Sequence, residues 1–222
     1  MTLPASLFKF LKSIKANNNR EWFQANKETY VQHHDFMKQY VAQLQMELEK
    51  HDVIEKSKLY RIYRDVRFSK DKTPYKSHFG GWFRRATKQR RGGYYFHIEP
   101  NNTMIAGGFW RPNSADLKRV RAELAANDEE LRTILSSPTF IKTFGHLEGE
   151  KVKTAPRGYT TDHPAIDLLQ HKQWVVKRIF PNKVVLSDTF FEEIIDTYLK
   201  MRPFFDYMSE VLNTDANGLP LD

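Results

Sequence analysis

The chain has no cysteine, and that single absence removes disulfides, thiolate zinc sites and cysteine nucleophiles together. It fits a reducing compartment, so a cytoplasmic location is the expectation. Long apolar runs are missing as well. The longest near-apolar stretch, Met104 to Trp110, is far short of the roughly 20 residues that cross a bilayer, and no membrane association is expected. No P-loop, GxSxG elbow, HExxH helix or GxGxxG turn occurs, which argues against nucleotide hydrolysis by a P-loop and zinc proteolysis by HExxH. No Gly/Ser- or Pro-rich linker divides the 222 residues. That predicts a single α+β domain over residues 1–212, with a flexible tail over 213–222.

What is present is apolar enough to fold. Hydrophobic residues make up 40% and aromatics 14% of the chain, a globular rather than a disordered composition. The net charge is +8, and its placement says more than its size. Between Ser57 and Arg91 lie 12 Lys/Arg against two acids, out of 35 Lys/Arg and 27 Asp/Glu in all, leaving 23 against 25 elsewhere. A concentration of cations of this kind attracts phosphates, nucleic acid or acidic partners.

Periodicity gives the elements. Two helices fill the first fifty residues, broken at Asn17-Asn18-Asn19, with Leu7, Leu11 and Ile14 on one apolar face of the first. From Leu59 the period changes to two. The expected strands are Leu59–Tyr63, Phe79–Arg85, Tyr94–Glu99, Thr103–Trp110 and, later, Trp174–Phe180. Between the last two, the pattern predicts helices at Ala115–Ala126, with Ser114 as N-cap, and at Glu129–Leu135. Pro203 must kink or restart the final helix. The fold class is therefore α+β, an antiparallel sheet of about four to six strands packed against N- and C-terminal helices. The pairs Gly80-Gly81 and Gly107-Gly108 sit inside strand patterns, where glycine lets another group approach the backbone.

The chemistry concentrates in RDVRFSKDKTPYK, Arg64 to Lys76. Arg61, Arg64, Arg67 and Lys70 recur every three residues, a spacing that aligns charges along an extended polyproline-like path. Arginine grips phosphate or carboxylate with a planar fork, and lysine adds a point charge. The expected anion ligands are Arg64, Arg67, Lys70, Lys72 and Lys76, with Tyr75 and Phe68 as walls. Asp65 and Asp71 are candidates for a general base, but among so many cations they more simply orient and neutralise the arginines. Tyr95, His97 and Glu99 share one face of a strand. A His and a Glu two apart can hold a metal or move a proton, yet a solvated sheet face carries the same pattern and is the expectation. His163 is the remaining candidate acid or base. No metal site and no cofactor are assigned.

RDVRFSKDKTPYK, together with NNNREWFQANKETY (Asn17 to Tyr30), the Tyr94-Tyr95 strand, the Gly107-Gly108 strand and TDHPAIDLL (Thr161 to Leu169), resembles a widespread family of unknown function, domain of unknown function 2461. The likeness covers nearly the whole chain. It implies a compact α+β domain and brings no activity, cofactor or catalytic residue with it. The leading functional expectation is binding of an anion, a phosphate-containing small molecule or nucleic acid, on Arg64–Lys76. The alternatives are an enzyme whose anionic substrate the same segment holds, with Asp65, Asp71, His97 or His163 moving the proton, and a module that meets an acidic protein. Oligomeric state is left open.

Overall fold

The computed structural model describes residues 1–86, 89–215 and 219–221. Three helices come first, α1 Ala5–Ala16, α2 Arg20–Ala25 and α3 Lys27–Leu48, followed by strands β1 Ile54–Leu59, β2 Phe79–Arg85, β3 Gly93–Ile98 and β4 Thr103–Phe109. Helices α4 Ser114–Ala126, α5 Glu129–Ser136, α6 Pro138–Phe144 and α7 Ile166–Leu169 precede β5 Trp174–Phe180. Helices α8 Asn182–Val185, α9 Phe190–Lys200 and α10 Arg202–Asn213 follow it. The strands form one antiparallel sheet in the order β1-β2-β3-β4-β5, the α+β arrangement expected.

The chain divides into two compact units. One comprises Met1–Phe83, Tyr95–Ile105 and Ile179–Asp196, the other Arg84–Tyr94, Ala106–Arg178 and Thr197–Asp222. In the first, α3 packs along β1. The Tyr30 ring lies parallel to Phe79 at 6.5 Å, and Leu7, Leu11 and Ile14 of α1 are buried, the face their spacing marks. In the second, α10 packs on α4 and α5, and its Phe205 meets Tyr94 and Phe109 at ring separations of 5.1 and 5.9 Å. Pro203 sits in the first turn of α10, where its missing N–H costs nothing.

Three local expectations need correction. Helix-forming pattern after Asn19 is not continuous: the chain breaks again at Asn26, whose side-chain amide turns back to Trp22 O at 2.8 Å. Asn113 rather than Ser114 caps α4, accepting from Asp116 N at 2.9 Å. The first strand is Ile54–Leu59, not Leu59–Tyr63. Its Glu55, Lys56 and Lys58 disguise it, yet β1 is an edge of the sheet, where lysine discourages further pairing. The expected strand's residues instead leave the sheet after Tyr60. Of the tail expected at 213–222, residues 216–218 and 222 lie outside the described residues. Asn213 ends α10, and Asp215 N bonds Leu219 O at 2.8 Å.

Candidate functional site

Residues 61–76 form a closed hairpin-like excursion from the first unit. Tyr60 N still bonds Gly80 O at 2.8 Å, and from there the chain pairs with itself. Arg64 N donates to Pro74 O at 2.9 Å, Lys76 N donates to Ile62 O at 2.8 Å, and Tyr63 and Tyr75 form an antiparallel bridge. Residues 65–73 make the tip. The three-residue repeat of cations therefore does not run along a polyproline path, because the chain reverses within it.

An unexpected part of the sequence holds this excursion in place. The three asparagines after α1 have different tasks. The Asn17 amide donates to Ser13 O at the end of α1 (3.0 Å), and Asn19 caps α2 by accepting from Trp22 N (2.9 Å). Asn18 offers an oxygen to Tyr75 N (3.1 Å) and an amide N–H to Tyr75 O (2.9 Å). A side-chain amide carries both a donor and an acceptor and so imitates a neighbouring strand. Phe23 of α2 then stacks on Tyr75 at 4.0 Å and 18°, leaving Tyr75 only 4% exposed. Tyr75 thus presents no face to a ligand, contrary to expectation. Its ring anchors the excursion in the core.

The charges at the tip are sorted by acids. Asp71 takes Arg64 Nη1 together with Thr73 N (2.9 Å) and Thr73 Oγ1 (2.8 Å), and Arg64 also donates to Thr73 Oγ1. Asp65 takes Arg67 through Nε (2.9 Å) and Nη2 (2.6 Å). The Arg64 bond, with those from Thr73, holds Asp71 down at about 2, and the Arg67 bonds lower Asp65. Both are carboxylates at neutral pH with their oxygens engaged, which is the orienting and neutralising role rather than that of a base. Lys72 donates to Val66 O at 3.0 Å. Lys76, one of the expected anion ligands, is partly buried and clamps Arg61 O (2.6 Å) and Tyr63 O (2.9 Å) across the neck. Among the described residues Arg61, Lys70, Lys72 and Lys76 form no ion pair with an acid. Phe68 stands at the tip, 96% exposed, with the Arg67 guanidinium 6.0 Å from its ring centre.

Arg84, Arg85, Arg90 and Arg91 belong to the second unit, where Arg85 and Arg91 serve packing. Arg85 is 2% exposed, donates to Asp206 (2.6 Å) and Arg91 O (3.1 Å), and lies 5.5 Å from the Phe205 ring; Arg91 pairs with Asp116. A cleft of about 630 Å³ there is lined by Arg85, Arg90, Arg202, Asp206 and Glu210. Asp206 bonds both Arg85 and Arg202, so the cleft is electrostatically mixed and offers an anion less than the hairpin does. His163 is in this unit too, with Nδ1 accepting from Ala165 N at 3.1 Å.

Beside the hairpin neck the structure gathers a second group. Alternation along β2 and β3 places Phe79, Gly81, Phe83, Tyr94, Phe96 and Ile98 in the core, and turns Gly80, Tyr95 and His97 to the opposite face. That face is not solvated as expected, because Lys15 of α1, Ser77, His78 and Asn102 cover it: His97 and Glu99 are each 8% exposed. Glu99 accepts from Lys15 Nζ (3.2 Å) and Ser77 Oγ (3.1 Å) on one oxygen, and meets His97 Nε2 (3.1 Å) and Asn102 Nδ2 (3.0 Å) on the other. His97 Nδ1 faces Tyr95 Oη at 3.3 Å, and the His78 ring stacks on His97 at 4.1 Å. Burial, reinforced by His97, pushes His78 down to about 4; Lys76 and Arg64 act in the same direction and Glu99 opposes them. Burial raises Glu99, but its four donors outweigh that and hold it at about 2. His78 went unnoticed in the sequence. The signal available was register: an antiparallel neighbour of a Tyr-x-His-x-Glu strand brings its own side chains onto that face.

No curated protein and no solved structure matches the chain. A family model described as a conserved hypothetical protein, DUF2461, matches residues 6–207, a span that includes the Asn18–Tyr75 clamp, the charged hairpin and the histidine–glutamate group. The chain belongs to the DUF2461 family.

Proposed function

We propose that the 61–76 hairpin binds phosphate-bearing anions, with single-stranded nucleic acid as the ligand its surface suits best. The observation that carries this reading is the tip itself. Cations without acid partners, Lys70 and Lys72 with Arg61 at the neck, accompany a fully exposed aromatic ring, Phe68. Basic surface plus a stacking ring is the minimal platform for a single strand, whose phosphates meet the charge and whose bases meet the ring. Arg64 and Arg67 are neutralised by Asp71 and Asp65 and contribute shape more than charge.

The test is a salt titration against a labelled oligonucleotide. Affinity should fall steeply between roughly 50 and 200 mM salt, with a log–log slope near −0.7 per phosphate contact on a single strand. Replacing Lys70 and Lys72 together by Ala should reduce that slope by about 1 to 1.5. Phe68→Ala should weaken binding by ~1–3 kcal/mol with no change in melting temperature, since its ring touches little of the core. Absence of binding at low salt, or a slope indifferent to the lysine pair, refutes the reading.

A second reading, an enzyme acting on an anionic substrate, is favoured by one observation: Lys76 and Arg64 lie close enough to His78 to perturb it. Of the candidate proton carriers named from sequence, only His97 belongs to that group. Asp65 and Asp71 are committed to arginines.

A further inference from the structure

We infer that His78, His97 and Glu99 form a binding site for a divalent transition-metal ion, zinc(II) by ligand type. One donor atom from each residue lies within 4.8 Å of the others. A tetrahedral shell with bonds of about 2.0–2.2 Å requires ligand atoms a little over 3 Å apart, so small side-chain rotations close it. The arrangement follows from the fold: His97 and Glu99 are two apart on one face of β3, and His78 precedes β2 on the neighbouring strand. Two imidazoles with a carboxylate suit zinc rather than magnesium or calcium, which take oxygen shells.

The surroundings resemble those of a metal centre in three respects. First, His97 Nδ1 faces Tyr95 Oη at 3.3 Å; the phenol oxygen can accept from Nδ1–H once the ion takes the place of the Nε2 proton that now faces Glu99. A Cβ at Gly80 would come within 3.2 Å of that phenolic oxygen, so the glycine makes room for it. Second, Asn102 and Ser77 hold the Glu99 carboxylate from both sides. Third, His78 has its ring against His97 and Glu99, while its nitrogens have no hydrogen-bond partner among the described residues. Three protein ligands leave one tetrahedral position for water. The competitor is Lys15, whose ammonium lies 3.2 Å from Glu99 Oε1. Its side chain is 68% exposed and can swing into solvent as the ion's charge replaces its own.

This inference is independent of the hairpin's ligand and is tested on the full chain without nucleic acid. The protein is stripped with EDTA, dialysed against Zn²⁺ and analysed for metal, with Co²⁺ as a visible-absorption probe of the ligand field. Wild type and His163→Ala should both retain about one ion per chain with the same affinity. Tyr95→Phe should weaken binding by about tenfold, as loss of an outer-shell partner does, and His78→Ala by more. Lys15→Ala should bind several-fold tighter. His78→Gln replaces His78→Ala if the alanine variant loses its native circular dichroism. Failure of wild type to hold zinc through dialysis overturns the inference. So does retention of wild-type affinity by the His78 variant, or weaker binding by Lys15→Ala.

Discussion

Replacing Gly108 by alanine is expected to remove much of the protein's stability, about 4 kcal/mol or more out of a typical total of 5–15. Two independent penalties meet at this position. Its φ is +137°, a conformation that L side chains rarely adopt and that costs about 1–3 kcal/mol. A Cβ there would also overlap Trp174 O and lie 2.9 Å from Val175 Cα. Both are backbone atoms of the neighbouring β5, which cannot rotate away as a side chain would, and overpacking of this kind adds about 1–3 kcal/mol more. Gly145 is the control. Its φ is also positive, at +75°, but nothing lies within 4 Å of a Cβ built on it, so alanine there should cost about 1 kcal/mol. Urea midpoints of the two variants decide the matter. Equal losses would show that β4 and β5 are not packed this tightly.

The glycine pairs illustrate what the sequence could and could not say. Their position inside strand patterns marks a close approach, and a ring or a ligand would satisfy the pattern equally. The structure supplies rings and backbone. A Cβ on Gly81 would sit 2.7 Å from the Phe96 ring and overlap Lys58 O, and one on Gly107 would sit 2.8 Å from Phe205. The central strands and α1 were legible for a simple reason: each has one buried face, and burial imposes a period. β1 was not, because an edge strand with lysines shows little alternation. The charged hairpin was legible as a place but not as a shape. Counting cations cannot reveal that Asp71 claims Arg64 and Asp65 claims Arg67, nor that Lys76 turns to backbone carbonyls. Those bonds depend on the chain reversing at 65–73, and the reversal depends on Asn18, far away in sequence.

The histidine–glutamate group was half legible. Tyr95, His97 and Glu99 were correctly grouped on one face, because that follows from the period of a strand alone. That the face is covered follows from contacts 22 and 84 residues distant in sequence, Ser77 and Lys15 onto Glu99, which no local pattern reports. Burial reverses the meaning of the pattern. On a solvated face a glutamate is replaceable, whereas here it organises α1, β3 and the segment entering β2.

Glu99→Gln should therefore destabilise the metal-free protein, by about 3 kcal/mol near neutral pH, and the loss should shrink as the pH falls. The carboxylate uses both oxygens to accept from four donors, Lys15, Ser77, His97 and Asn102. An amide supplies only one accepting oxygen, so its NH₂ must face two donors whichever way it is turned. The pH dependence follows from the depressed pKa. The unfolded chain takes up a proton on Glu99 near its ordinary 4.5, while the folded protein refuses it until about 2. Stability contributed by this charge is thus present above 4.5 and is lost as the pH falls from there through about 2. His78 adds an earlier loss in both proteins, because its ordinary 6.5 is lowered to about 4; protons then favour the unfolded chain from 6.5 downward. Subtracting the variant's urea midpoints from the wild type's, in EDTA across the acid range, leaves the Glu99 contribution together with the smaller change that its loss makes to His78. A difference that narrows below pH 4.5 is the expected result. A constant difference would mean that the amide disturbs packing alone and that the carboxylate's charge stabilises nothing.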